Sequence, residues 1–420
     1  MSIQLTEGVQ LHLLPTNKYK TIQITLKFKA PLKKETITQR TMIANLLEIS
    51  SKRYPTQTAF RSELSELFGA SFGTAVSRKG NQHILTVSLN IVNEKYLTMG
   101  NGITEKAVQF LEEVLFHPNV EEQHFDQTTF KREKEKLRDD YDGLYDDKQT
   151  YASLALQALL FEDSSQKVPS IGTAEDLEKI TSSSLYQYYQ SMIQDDEVDI
   201  YVMGDVEQDE IVAYFKNFSF NARQIAPRSP FYQTTSTSEL REKTEEQEVT
   251  QAKLNLGYTT SVFYHGEDYY AGQVFNGLFG GFPHSKLFMN VREKESLAYY
   301  AASSLDTFRG VMVVQTGIDG KESEKVKAIV AEQLYDMQAG DFTETAFLQT
   351  KNMLKNQLIQ SEDNPGSVIE RIYANQLALG KTVSLQEWIE GIEMVTREQV
   401  IEVAKKVKLK GIFFLSGGVK

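Results

Sequence analysis

The chain has 420 residues, 40% of them hydrophobic, enough for two or more domains of ordinary size. Lys plus Arg number 45 against 57 Asp plus Glu, a formal charge of −12, which argues against phosphate backbones and anionic membrane surfaces as partners. There is no cysteine, so disulfides, thiolate nucleophiles and thiolate metal sites are excluded together, as suits a reducing compartment.

The first twenty residues, MSIQLTEGVQLHLLPTNKYK, lack the basic start and continuous apolar stretch of a signal peptide, and no run approaches the ~18 apolar residues of a membrane span. A soluble, cytoplasmic chain without nucleic-acid or membrane partners is therefore expected. Thr21 to Lys29 (TIQITLKFK) alternates as a half-buried strand does, and Gln39 to Ser50 reads as a mostly apolar helix. A strand follows at Ile84 to Val92, then a helix near Thr104 to Leu115 and a long helical pattern from about Asp126 to Leu160. The buried strand at Asp199 to Val206 (DIYVMGDV) closes this half.

The second half repeats the order. A strand at Ala252 to Tyr258 precedes an apolar helix at Asp268 to Phe279, a helix at Ser323 to Met337, a long helical region from Thr343 to Leu379 and the strand GIFFLSGG at Gly411 to Gly418. Between the halves, Asn221 to Val249 is rich in Ser, Thr, Pro and charge, including the acidic run Thr244 to Glu248, and reads as an exposed linker. The expected architecture is α+β: two homologous domains, 1–220 and 250–420, each an antiparallel-rich sheet packed with helices, joined by a linker at 221–249.

Two segments carry a resemblance. Ala44-Asn45-Leu46-Leu47-Glu48-Ile49, followed by Tyr54-Pro55, lies where the pitrilysin and mitochondrial-processing-peptidase family has its inverted zinc motif H-x-x-E-H. Phe275 to Ser304 (FNGLFGGFPHSKLFMNVREKESLAYYAASS) resembles that family's second-domain signature in its glycine turn, Ser-x-Leu-Phe, Arg-Glu-Lys and Leu-Ala-Tyr elements. The resemblance implies a two-domain half-shell and a helix in which two histidines one turn apart hold zinc while the glutamate activates water. Here the histidine positions are Asn45 and Ile49. An amide oxygen is a poor zinc ligand and an isoleucine is none, so this chain is expected to bind no zinc of its own. The family's third ligand is a glutamate in a later helix, and Phe130 to Tyr141 places Asp139 and Asp140 there.

None of the six histidines (12, 83, 117, 124, 265 and 284) has the three- or four-residue spacing that puts two ligands on one helical face, and a structural role is expected for each. Glu48 is either a remnant of an active-site wall or a carboxylate reaching solvent or a basic partner. In the family an arginine and a tyrosine from the second-domain segment reach the substrate, and by position these are Arg292 and Tyr299. A guanidinium suits a peptide or terminal carboxylate, and a phenol can donate to an oxyanion. The plain alternatives are a salt bridge to Glu293 or Glu295 and a packed aromatic. If Leu297 to Ser303 is a strand, Tyr300 points to the opposite face. Gly280 and Gly281 mark a turn, and neither a G-x-G-x-x-G nor a P-loop pattern surrounds them.

The resemblance implies a non-catalytic subunit of a heterodimeric zinc peptidase. Arg292 and Tyr299 would line a chamber whose zinc belongs to a partner with an intact motif, a homodimer being the alternative assembly. A scaffold or peptide-binding protein without proteolytic role is the second reading. A lone hydrolase using Glu48 with Asp139 or Asp140 is the third, and it lacks a visible electrophile or strong nucleophile.

Overall fold

The computed structural model describes residues 1–98, 102–225, 228–233 and 239–417. Two compact units share the chain. The first comprises Met1–Asp142, Pro169–Arg228 and Pro365–Glu370, the second Gly143–Val168, Ser229–Asn364 and Arg371–Lys420. Contact thus runs across the expected division at residue 220, since Gly143–Val168 groups with the later half of the chain.

In the first unit the strands β1 (Ser2–Thr6), β2 (Val9–Pro15), β3 (Thr21–Pro31), β4 (Ser71–Lys79) and β5 (Gln82–Val92) precede a two-residue pair, β6 (Val120–Glu121) with β7 (His124–Phe125), and β8 (Glu197–Gly204). Six of them form one sheet in the order β1-β2-β8-β3-β5-β4, with only β2 and β8 parallel. Helices α1 (Lys34–Leu47), α2 (Gln57–Glu66), α3 (Ile103–Phe116) and α4 (Gln127–Asp146) lie along this half. The long pattern read from Asp126 to Leu160 is broken at Asp147, whose carboxylate accepts from the Gln149 and Thr150 N–H groups and so caps α5 (Lys148–Leu160). Short helices α6 (Ser164–Lys167) and α7 (Ala174–Glu178) lead to α8 (Ser182–Asp195), and α9 (Gln208–Phe215) follows β8.

Strand β3 shows why the sheet sits where it does. Ile22, Ile24, Leu26 and Phe28 are buried on one face, and the alternate residues Gln23, Thr25 and Lys27 are buried on the other. Helix α1 buries residues around most of its circumference, Arg40 among them, as a core helix does. The Arg40 guanidinium, wholly shielded from solvent, donates to Asp196 at 2.5 Å and to the Phe28 carbonyl at 2.7 Å.

The second unit uses β9 (Arg241–Gln247), β10 (Ala252–Thr259), β11 (Ala298–Asp306), β12 (Val311–Ile318) and β13 (Lys408–Gly417) in the order β11-β12-β10-β13-β9, again with a single parallel pair, β13 with β9. Laid on the first sheet, β10 takes the place of β3, β13 of β8, β12 of β5, β11 of β4 and β9 of β2. The repeat read from the sequence is therefore a repeat of topology. Residues 241–247, expected to be linker, form the edge strand of this sheet: REKTEEQ carries no apolar face, and only its ladder with β13 makes it a strand.

Helices α10 (Tyr269–Asn276), α11 (Ser323–Ala339), α12 (Glu344–Ser361), α13 (Pro365–Leu379), α14 (Leu385–Glu393) and α15 (Arg397–Lys406) complete the chain. The expected helical stretch Thr343 to Leu379 is two helices, interrupted at 362–364 before Pro365, which has no N–H to continue a ladder. Leu254, Leu256, Tyr258, Val274, Phe275, Phe279, Met312 and Val330 belong to the main core of this unit. On the sheet's other face, α5 sets Leu156 and Leu160 against Phe413 and Leu415. A Cβ at Gly257 would lie 2.4 Å from a Leu160 methyl, so the close approach of α5 requires that glycine.

Candidate functional site

Each unit has a corner where the helix that follows the sheet's central strand meets an edge strand. In the first unit these are α1 and β4. Asn45 is half-buried on α1 and Ile49, just past its end, is only 6% exposed, packed as a core residue. Glu48 is the C-cap residue, and its side chain is 34% exposed. The Thr74 N–H and hydroxyl donate to Glu48 Oε2 at 3.2 and 3.1 Å, and Arg61 Nη2 stands 3.9 Å from Oε1. The same Thr74 hydroxyl donates to the Ala44 carbonyl at 2.8 Å. Glu48 therefore ties the end of α1 to the edge strand and has a basic side chain beside it.

The acids expected to supply a third ligand stand apart from this arrangement in character. Asp139 and Asp140 are both exposed on α4. The buried acid of that helix is Glu133, 4% exposed, which accepts from Arg132 Nε at 2.9 Å and has Lys136 Nζ 4.0 Å away. The available signal was the helical spacing of Phe130, Glu133, Leu137 and Tyr141, which puts Glu133 on the buried face, and the charges around it hid it. The donor set does not fit zinc: Asn45 offers an amide, Ile49 nothing, and Glu48 is engaged by Thr74. Among the described residues no three His, Cys, Asp or Glu side chains gather where a metal could be held.

Of the histidines, His117 is the C-cap residue of α3 with Glu112 at 3.6 Å, and His124 sits exposed in β7 with its Nδ1 2.6 Å from the Glu122 carbonyl. His83 is fully buried beside the Ser170 carbonyl, and burial, aided by the nearby Arg40 charge, holds its imidazole down at about 3.

The second unit's corner is built differently. Helix α10 runs into a π-helical turn at Gly277–Gly281, and a second π-helical turn spans Phe288–Lys294. A Cβ on Gly280 would lie 2.7 Å from the Ser303 nitrogen, so the glycine lets this turn press against β11. Asn276 Oδ1 accepts from the Ser303 hydroxyl at 2.8 Å, which closes the base of the corner.

Arg292 projects from the second π turn, 44% exposed, with its guanidinium 4.7 Å from the centre of the Phe288 ring and its Nε 3.6 Å from Glu293. Both the stacking and the salt bridge are local, between residues on one turn of chain. Ser296 then adopts φ 53°, the left-handed region, before β11 begins. Tyr299 is the extra residue of a β-bulge, since Ala298 pairs with Ile318 and Tyr300 with the next residue, Gly317. The bulge leaves the Tyr299 ring 73% exposed. Tyr300 faces α5: its phenol donates to Gln149, Lys253 lies 5.3 Å from its ring centre, and burial followed by Asp147 pushes it up to about 12. The sequence thus picked out the tyrosine that the fold leaves free of the core. It missed Phe288, although the i, i+4 spacing to Arg292 was visible.

The described part of the first unit also has a cleft of about 440 Å³ lined by Lys29, Gln82, Glu197, Gln224 and Arg228, which includes none of the residues singled out from the sequence. No helix among the described residues is long and apolar enough to cross a membrane.

Comparison with known proteins agrees with this picture. Residues 179–354 match the family described as the peptidase M16 inactive domain. The chain is 37% identical to the probable inactive metalloprotease YmfF of Bacillus subtilis, over 98% of this chain and 96% of that one. It is 25% identical to the uncharacterized zinc protease YmxG of the same organism over 72% of each. Among solved structures, a conserved protein from Enterococcus faecalis superposes with a TM-score of 0.96 at 48% identity, covering 100% of this chain and 99% of that one. An M16 inactive domain from Pseudomonas fluorescens shares the fold, with a TM-score of 0.77 at 17% identity over 100% and 98%. This chain belongs to the M16 peptidase family as a non-catalytic homologue.

Proposed function

We propose that the chain is the non-catalytic subunit of a heterodimeric zinc peptidase in the cytoplasm, lending Arg292 and Tyr299 to a peptide-hydrolysing chamber whose zinc is held by a partner with an intact H-x-x-E-H motif. The contrast between the two corners carries the reading. In the first, the motif helix is closed and its glutamate engaged by Thr74. In the second, an arginine and a tyrosine stand exposed on two irregular segments, a π turn and a bulge, where core packing gives no reason for them. An exposed Arg offers a peptide a planar fork of donors, and an exposed Tyr a rigid ring with a polar tip that is ordered at low entropic cost.

The test mixes purified chain with a similar-length chain from the same genome that keeps H-x-x-E-H. Complex formation by size exclusion and peptide cleavage beyond that of either chain alone are expected. Arg292→Ala or Tyr299→Phe should lower kcat/KM about tenfold or more with the complex intact. No complex, or full activity with Arg292→Ala, overturns the proposal. If a complex forms and these substitutions are silent, the scaffold reading takes its place.

A further inference from the structure

A second chemical arrangement lies in the first unit, on strands that the peptidase reading leaves unused. Ser2, His12 and Asp199 stand on three neighbouring strands, β1, β2 and β8. Ser2 Oγ is 2.8 Å from His12 Nδ1, and His12 Nε2 is 2.8 Å from Asp199 Oδ1. The ladder explains the meeting: Ser2 pairs with His12, His12 with Tyr201, and Asp199 is two residues before Tyr201 on the same face of β8. The imidazole stacks on the Tyr201 ring with centroids 4.5 Å apart and planes 17° from parallel, which fixes its orientation.

The chemistry assigns the tautomer. An ionised carboxylate only accepts, so Nε2 carries the proton toward Asp199, and the neutral ring then offers the Nδ1 lone pair to the Ser2 hydroxyl. That is the arrangement of a nucleophile, its base and the group that orients the base, recognised by roles rather than by order in the chain.

The backbone adds a second observation. The Leu13 N–H donates to the Met1 carbonyl at 2.8 Å and the Met1 ammonium to the Leu13 carbonyl at 3.0 Å, so Met1 and Leu13 are the hydrogen-bonded pair. Ser2 and His12, next along the ladder, are the pair whose N–H groups face away from each other. Because β1 is the outermost strand of its sheet, the Ser2 N–H points to the open side. It lies on the same residue as the nucleophilic oxygen, where the nucleophile's own N–H supplies one oxyanion donor in the serine hydrolases. Ser2 is exposed, while His12 is buried at 6%.

We propose that Ser2, His12 and Asp199 form an acyl-transfer site for small activated esters or thioesters. Ser2 Oγ bonds to the carbonyl carbon as its proton passes to His12 Nδ1, and the Ser2 N–H donates to the oxyanion. Collapse breaks the bond to the leaving oxygen or sulfur, which takes the proton from Nδ1 and departs as alcohol or thiol. Water then attacks the acyl-serine, its proton again passing through His12 back to Ser2 Oγ, and the carboxylic acid is released. Asp199 acts through His12 as a positioning residue.

The test treats the full chain with p-nitrophenyl acetate and, separately, with a fluorophosphonate, and maps the adduct by peptide mass spectrometry. Label is expected on Ser2 at least tenfold faster than on any other serine, and absent in Ser2→Ala, a change at an exposed position that leaves the fold intact. His12→Gln should lower the rate at least tenfold. Asp199→Asn should lower it similarly while Asp199→Glu retains most of it, a pattern that a merely structural aspartate would not give. Absence of a Ser2 adduct overturns the proposal, as does labelling of Ser2 no faster than of other serines or undiminished in a folded His12→Gln protein.

Discussion

The two units repeat one sheet topology and are held together by different chemistry. In the first, buried charge is structural. Arg40 meets Asp196 inside the core, and on the far face of β3 Lys27 donates to Glu370 at 2.6 Å, with Lys79 on the same carboxylate at 2.6 Å. In the second, the matching far face is closed by Leu156 and Leu160 of α5 over glycine and phenylalanine. A topology fixes which strands neighbour one another but leaves the filling of each face open. A charged interface then fails when one partner is removed, and an apolar one when volume changes.

That contrast can be broken most directly at Asp196. Asp196→Ala leaves the Arg40 guanidinium buried without its counter-ion and should cost about 3–5 kcal/mol in urea unfolding, with hydrogen exchange placing the loss in the first unit. The corresponding break in the second unit is steric. Gly257→Val drives a branched side chain into Leu160 and should cost about 1–3 kcal/mol by the same measurement.

A smaller effect separates the units by pH. Burial alone would raise the Glu370 carboxyl, but the Lys79 and Lys27 ammoniums override it and hold it at about 2 against an ordinary 4.5. Because the folded value lies below the unfolded one, this contribution is fully present above about pH 4.5 and disappears as pH falls through 2. Melting temperature followed from pH 6 to pH 2 should therefore fall less steeply in Glu370→Gln than in the parent chain.

At the corners the expected effects are smaller still. Thr74→Val removes a hydroxyl that serves Glu48 and Ala44 and should cost roughly 1 kcal/mol. Arg292→Ala and Tyr299→Ala should each change unfolding free energy by under about 0.5 kcal/mol, since Tyr299 stands largely in solvent and Arg292 contacts only residues of its own turn. A larger loss at either would mean that packing keeps them, and would remove the sharpest difference between the two corners.

Periodicity alone revealed the segments whose burial is one-sided or complete, such as β3, α3 and β13, because their apolar residues repeat at the spacing of the element. The family resemblance, not periodicity, implied that Asn45 and Ile49 stand at the histidine positions, and that neither is a good zinc donor follows from the residue itself and not from its surroundings. Strand β9 was not legible. Its charges have no pattern of two, and its conformation comes from the parallel ladder with β13. The engagement of Glu48 by Thr74, the burial of Glu133 rather than Asp139 or Asp140, and the exposure of Tyr299 in a bulge were likewise decided by tertiary structure. Each depends on which atom of a distant strand or helix arrives beside the residue, and a linear sequence does not state those distances.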